Sequence, residues 1–146
     1  MPNLEKQDKY KLLNMKLKRA VTNEFWLEAC MIEYAIIEDR TSSILHYSNI
    51  CKNAYDSNKI LSNKLNSIEH QIGKKHPIIS KKVNLTTVKD IRTWKTQRDD
   101  FVHRSCTMYD EVGAKDLALQ GRELCRLISN DSAKVKRLSK KMEEVK

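Results

Sequence analysis

Residues 25–40 read FWLEACMIEYAIIEDR, and the apolar positions of this stretch decide the fold. With the apolar residues that follow up to Leu45, they cover most of the circumference of a predicted helix that spans about Asn23 to Tyr47. A helix that is apolar nearly all round belongs in the middle of a bundle or in an oligomer interface. This stretch therefore predicts the central helix of an all-α protein.

The composition of the whole chain suits long helices. Its 146 residues include only three glycines and two prolines, which is too few for a turn-rich β fold. Hydrophobic residues make up 40% and charged residues 32%, as in soluble globular proteins. The length favours one domain over residues 1–146 with a core of its own. No membrane span is expected, because Glu33 breaks the longest apolar strip, residues 29–37.

Apolar residues at helical spacing predict further helices on both sides of the central one. These helices span about Asn3 to Val21, about Ser57 to Ile72, a stretch that begins near Thr86 or Thr87, and a stretch after Gly113. Gly73 is expected to end the third helix as its C-terminal cap. The resulting architecture is a four- to five-helix antiparallel bundle with its core at about residues 22–128.

Two basic segments flank this core. Residues 73–85 carry four lysines, and Pro77 disfavours helix at His76, so we predict an exposed basic loop. Residues 131–146 form either a docked basic helix or a frayed basic arm. The net charge of +9 and the pI of about 9.4 predict attraction to polyanions. Alternatively, the charge belongs to a lysine-rich solvated surface with no ligand.

The cysteines give no sign of a disulfide framework or a metal site. Their spacing contains no C-x-x-C pair, and no signal peptide is recognised at the start of the sequence; the positions are Cys30, Cys51, Cys106 and Cys125. We expect reduced cysteines in a cytoplasmic protein. Clustered cysteine and histidine ligands for zinc are lacking, so neither a metal nor another cofactor is expected.

Residues 98–103, which read RDDFVH, depart from the plain helical pattern. Since each helical residue advances about 100°, Ile91 and Val102 fall close beside Arg98, which stands where a leucine is expected. This places Arg98 in the centre of the apolar stripe of its helix. A buried unpaired charge costs several kcal/mol, so Arg98 needs a partner. The partner is either a carboxylate, in a structural ion pair, or a bound phosphate.

Asp99 and His103 lie four residues apart and therefore share one helix face. Asp99 can accept a hydrogen bond from one imidazole nitrogen and so orient the ring. His103 can then exchange protons with a ribose 2′-hydroxyl or a leaving 5′-oxygen, while Arg98 holds the scissile phosphate. These groups suffice for metal-independent RNA cleavage. DNA lacks the 2′-hydroxyl nucleophile, which makes RNA the expected substrate.

The segment Arg98-Asp99-x-x-x-His103 resembles the R-[ND]-x-x-x-H motif of HEPN domains. Residues 25–40 also resemble the long early helix of these small bundles, and the similarity covers roughly Thr22 to Ile128. The resemblance implies an endoribonuclease of toxin, phage-defence or RNA-processing type, which forms a homodimer with one composite cleft. It also implies a possible antitoxin protein as a partner. The family usually has Asn at the second motif position, although Asp also occurs.

Glu33 and Arg40 are further site candidates. They lie seven residues apart, on one side of the predicted central helix. Our hypothesis is that Glu33 pairs with Arg98 or Arg40 next to the cleft. The alternative is an ordinary buried ion pair that orders the bundle.

Other residues have weaker signals. Arg104 either helps to bind phosphate or is solvated, and Tyr109 is a candidate to reach the cleft from the turn after the motif. The lysines of the basic loop track the RNA backbone or belong to a solubilising loop; they are Lys74, Lys75, Lys81 and Lys82. Trp94 is read as a core residue, with base stacking as the minor alternative.

Three functions remain open from the sequence. The first is a metal-independent HEPN-type endoribonuclease in which Arg98, Asp99 and His103 are catalytic. The second is a non-catalytic HEPN-like module that binds RNA, nucleotide or protein. The third is a purely structural helical dimer in which Arg98 forms an ion pair.

Overall fold

The computed structural model of the chain describes residues 2–54 and 60–145. Within these residues there are six helices and no strand: α1 (Pro2–Thr22), α2 (Trp26–Tyr47), α3 (Leu61–Gly73), α4 (Ile79–Lys82), α5 (Leu85–Arg104) and α6 (Glu111–Glu144). The predicted all-α helical bundle is confirmed. The predicted start of the third helix at Ser57 lies outside the described residues.

Helix α2 occupies the middle of the bundle. It packs against α1, α3, α5 and α6, and the side chains of Cys30, Ile36, Ile37 and Ile44 are completely buried. Burying one large aliphatic side chain is worth about 1.5–3 kcal/mol relative to leaving it in water. The prediction that residues 25–40 belong to the central helix of the bundle is therefore confirmed.

Helices α5 and α6 run antiparallel, since Trp94 bonds to Leu117 while Phe101, further along α5, lies beside Gly113 near the start of α6. Helices α2 and α6, in contrast, run parallel. The Lys115 ammonium lies 5.9 Å from the ring centroid of Trp26 near the start of both helices, and Lys136 lies 5.2 Å from that of Tyr47 near their ends. At one end of the bundle, the C-terminal turns of α5 therefore lie beside the N-terminal turns of α2 and α6.

Residues 73–85 are more ordered than the predicted exposed loop. The Nδ1 atom of His76 accepts hydrogen bonds at 3.2 Å from the backbone N–H groups of Ile78 and Ile79, at the start of α4. Ile79 is fully buried. Helix α3 ends at Gly73, as predicted, but its C-cap residue is Lys74, and the residue with positive φ (56°) is Lys75.

The basic segment 131–146 is a docked helix as far as Glu144. Helix α6 continues through Asn130 and Asp131, and Asp131 accepts a hydrogen bond at 3.1 Å from the backbone N–H of Asn84, which ties α6 to the segment before α5. Val135, one turn further on, is completely buried. The packing of this apolar face holds the C-terminal half of α6 against the bundle.

Candidate active site

Helix α5 carries the motif, and its inner face fixes the rotation of the helix. It begins at Leu85 because the side chain of Asn84 accepts a hydrogen bond from the backbone N–H of Thr86 at 2.8 Å. Trp94 is almost completely buried and donates a hydrogen bond from Nε1 to the carbonyl oxygen of Leu117 at 2.9 Å. Trp94 is therefore a core residue, and base stacking on it is excluded.

Arg98 packs on an aromatic ring of α2. Its guanidinium carbon lies 4.3 Å from the ring centroid of Tyr34, and 18% of its side chain is exposed. Arg98 lies on the same face of α5 as the buried Ile91 and Trp94, as the helical wheel predicts. The buried stripe of α5 ends at Trp94, and Val102 is 39% exposed. Arg98 occupies the edge between α2 and α5, where a cation stacks on the ring and still reaches solvent.

Asp99 is the carboxylate partner of Arg98. Its Oδ1 accepts a hydrogen bond from Nη1 of Arg98 at 2.7 Å, and its Oδ2 accepts one from Nζ of Lys95 at 2.9 Å. Partial burial raises the pKa of Asp99, but the hydrogen bonds from Lys95 and Arg98 outweigh this and hold it below its usual value. Asp99 is therefore an ionised carboxylate between two cations.

The predicted hydrogen bond between Asp99 and His103 does not form within the described residues. Both carboxylate oxygens bind cations, which make stronger hydrogen bonds to a carboxylate than a neutral ring does. His103 is exposed. The imidazole is thus accessible to a ligand but is not oriented by Asp99.

Glu33 is completely buried, and neither of its carboxylate oxygens has a hydrogen-bond partner. The predicted ion pair with Arg98 or Arg40 is therefore not formed. Burial raises the pKa of Glu33 to about 9, and the charge of Arg122 only partly opposes this. The side chain is a neutral acid at pH 7 and packs against Gly121 of α6 and Trp94 of α5.

Arg40 faces α1 and not the motif. It forms an ion pair with its neighbour Asp39, and its guanidinium carbon lies 4.2 Å from the ring centroid of Tyr10. Arg98 makes its ring contact on the side of α2 that faces α5. The structure therefore does not bring Arg40 and Arg98 together in one chain.

Arg104 and Tyr109 lie near the motif at the end of α5. Arg104 is exposed and pairs with Asp100 at 3.3 Å. Tyr109 packs edge-on against Phe101, with 6.2 Å between ring centroids. The Glu111 carboxylate beside the phenol raises the pKa of Tyr109 to about 12, so this group keeps its proton at neutral pH.

Lys74 and Lys75 are exposed but lie towards the other end of the bundle. They precede α4, which packs on the C-terminal half of α6, whereas His103 lies beside the N-terminal half. One chain therefore does not bring these lysines to the motif.

Exposed apolar side chains surround the end of the bundle that carries His103. Met31 is 60% exposed on α2, and Met108 and Val112 are 73% and 68% exposed in the turn after α5 and at the start of α6. Together with Val102, these are the exposed apolar residues that we call the motif-end apolar surface. Exposed apolar side chains are typical of protein contact surfaces where they form one patch.

Two residues of the site are absent from the sequence predictions. Lys95 lies four residues before Asp99, and this helical spacing of opposite charges is a sequence signal for the pair. Tyr34 has no such signal, because its contact with Arg98 depends on how α2 and α5 pack.

Residues 2–54 and 60–145 contain no group of three or more His, Cys, Asp or Glu side chains placed to hold a metal ion. The four cysteines are free thiols. Among the described helices, none combines the length and the apolar character that a membrane span requires.

Comparison of this chain with protein-family models, curated proteins and solved structures finds no match.

Proposed function

We propose that the protein is a metal-independent endoribonuclease of HEPN type that acts as a homodimer. The observation that carries the proposal is that α5 presents both an exposed His103 and a fixed Arg98. Tyr34 and Asp99 hold the Arg98 guanidinium in place. The motif's resemblance to that of HEPN domains supplies the reaction class.

The reaction needs no group beyond two histidines and a cation. One imidazole accepts the proton of the ribose 2′-hydroxyl, whose oxygen attacks the adjacent phosphorus. The bond from phosphorus to the 5′-oxygen breaks, and a second imidazole, in its protonated form, donates a proton to that oxygen. The products are a 2′,3′-cyclic phosphate and a 5′-hydroxyl. Arg98 offsets the negative charge that develops on the phosphoryl oxygens.

The helix geometry supports a site composed of two chains. Arg98 and His103 point about 140° apart around α5 and are separated by about 7.5 Å along its axis. One motif also supplies a single histidine, whereas the reaction uses two. The motif-end apolar surface would be covered when the His103 ends of two copies meet, and this brings the second histidine to the cleft.

A role as a toxin or phage-defence effector, held in check by an antitoxin protein, follows from the family resemblance alone, and the expected cytoplasmic location from the unpaired cysteines. The chemistry at Arg98 and His103 does not depend on it.

The second candidate is a non-catalytic module that binds RNA, nucleotide or a protein. It is favoured by the hydrogen bonds that Asp99 accepts from Lys95 and Arg98. Because these occupy its carboxylate, His103 has no carboxylate that orients its ring. In this case Arg98 binds a phosphate group and no bond is broken.

An RNA cleavage assay in EDTA separates the two candidates. The wild type is compared with His103→Ala and Arg98→Ala, and with the matched surface variants His70→Ala and Arg126→Ala. The enzyme predicts cleavage that falls by at least about 100-fold in both motif variants, remains in both controls, and is absent on all-2′-deoxy substrate. Equal residual cleavage in all proteins indicates contamination by another ribonuclease and rules out the endoribonuclease hypothesis. Salt-sensitive binding without cleavage supports the module.

A further inference from the structure

A basic groove lies between α4 and the C-terminal half of α6. Its volume is about 150 Å³, and its lining consists of Lys82, Lys134, Arg137, Leu138 and Lys141. Four of these five residues are cations and none is acidic. The groove therefore concentrates positive charge around a single half-buried apolar side chain.

The fold brings these cations together although like charges repel. Lys134, Arg137 and Lys141 share one face of α6, at helical spacing. Lys82 is the last residue of α4, which the burial of Ile79 holds against the bundle. Within the described residues, none of the four forms an ion pair with an acid. Such a cluster attracts a polyanion, which relieves the repulsion.

We propose that this groove binds the phosphate backbone of an RNA strand as a second contact surface, distinct from the Arg98–His103 site. Arg137 can hold one phosphate with two parallel hydrogen bonds, and the lysines act as point charges on neighbouring phosphates. The proposal rests on the proposed function, since it adds a backbone contact to the same RNA substrate.

The distance between the two surfaces sets the length of RNA that can reach both. Gln97, Phe101 and Arg104 of α5 line a groove with Gly113 and Leu117 of α6, so these residues lie at one level of the bundle. From Leu117 to Arg137, α6 rises by about 30 Å. That corresponds to roughly nine steps of a stacked strand. Shorter strands can occupy only one surface at a time.

The test measures RNA binding by fluorescence anisotropy in a His103→Ala background, in which the RNA stays intact. The groove variant is Lys134→Gln/Arg137→Gln/Lys141→Gln. The control is Lys11→Gln/Lys16→Gln/Arg19→Gln, which removes the same charge from exposed positions of α1. The probes are fluorescent oligouridylates of 6 and 20 nucleotides, at 50 to 200 mM salt.

We expect the protein without either triple substitution to bind the 20-nucleotide probe more tightly than the 6-nucleotide probe. The groove variant should lose at least about tenfold in affinity for the long probe. The slope of log affinity against log salt concentration should become less steep by about 2, because three phosphate contacts are lost. The control variant should lose less than about threefold. Equal losses in the two variants, or none in the groove variant, overturn the proposal.

Failure of this proposal and failure of the proposed function give different results. If the wild type cleaves RNA in EDTA and the groove variant binds the long probe normally, the proposal that the groove binds RNA is wrong and the proposed endoribonuclease activity is supported. If the groove variant loses binding, the control variant does not, and the wild type never cleaves RNA, the proposal that the groove binds RNA is supported and the proposed endoribonuclease activity is wrong.

Discussion

Arg98 and Tyr34 form a cation–π contact of 4.3 Å that joins the motif on α5 to the central helix α2. Together with the bond from Asp99, it sets the direction of the guanidinium at the edge of the bundle. The Nε atom of Arg98 is buried and has no hydrogen-bond partner within the described residues. The packing of α2 and α5 therefore holds this side chain in one position.

Removal of the Tyr34 ring should release Arg98. We expect Tyr34→Ala to lower RNA cleavage by roughly 10- to 100-fold, because a small displacement of a positioning group is costly. Stability should fall by about 0.5–2 kcal/mol through the lost cation–π contact, in addition to the lost packing. Tyr34→Phe keeps the ring and serves as the control. Urea unfolding and initial cleavage rates test this, and full cleavage by folded Tyr34→Ala would contradict it.

Glu33 should make stability depend on pH. Its pKa is raised to about 9 in the folded protein, so between its ordinary pKa of 4.5 and about 9 the folded state holds a proton that the unfolded state has released. The unfolding free energy should therefore fall as pH rises through this window, by up to about 1.4 kcal/mol per pH unit from this group.

Glu33→Gln removes that titration, so its unfolding free energy should fall less steeply between pH 5 and pH 8 than that of the wild type. Urea titrations at four pH values measure both slopes, with the exposed Glu28→Gln as the matched control. Parallel slopes for wild type and Glu33→Gln would show that Glu33 is not held as a neutral acid. A loss of stability with normal specific activity would rule out a role of Glu33 in cleavage.

Gly121 provides the space for the Glu33 side chain. A Cβ atom at this position would lie 2.6 Å from Cζ2 of Trp94 and would also collide with Oε1 of Glu33. We expect Gly121→Ala to destabilise the protein by about 1–3 kcal/mol through overpacking, despite the better helix propensity of alanine. Gly73→Ala, where nothing lies within 4 Å, is the control and should be neutral or slightly stabilising. Thermal unfolding of both variants checks the contrast, and equal melting temperatures would contradict it.

The docking of the C-terminal half of α6 can be tested with two valines. Val135 is completely buried and Val145 is 88% exposed. Val135→Ala should cost about 1–3 kcal/mol of unfolding free energy. Val145→Ala should leave it unchanged, because this side chain packs on little. Similar unfolding midpoints for the two variants would mean that residues 131–145 are a frayed arm in solution.

The proposed dimer depends on the motif-end apolar surface. A charge placed there by Val102→Glu should separate the two copies and abolish cleavage, because burying an unpaired carboxylate in an interface costs several kcal/mol. Val145→Glu is the control. Sedimentation at micromolar concentration measures the oligomeric state. A wild type that is monomeric yet cleaves RNA would exclude the composite site.

Local periodicity accounts for what could be predicted here. The centre of the fold, the helices that flank it and the position of residues 98–103 on a helix all follow from apolar spacing along the chain. Helix ends were less predictable. At the end of α3, Lys75 and not Gly73 adopts positive φ, and the next residue, His76, accepts hydrogen bonds from the backbone N–H groups of Ile78 and Ile79.

The amino-acid sequence by itself determined an all-α bundle with α2 at its centre and a motif of arginine, acid and histidine on one helix. Only the tertiary structure decided the partners. It placed Tyr34 against Arg98, left Glu33 buried without a hydrogen bond, and joined Lys82 to the cations of α6. The physical reason is that periodicity reports which face of a helix is apolar. The rotation and axial shift at which two such faces meet depend on the packing of all their side chains together.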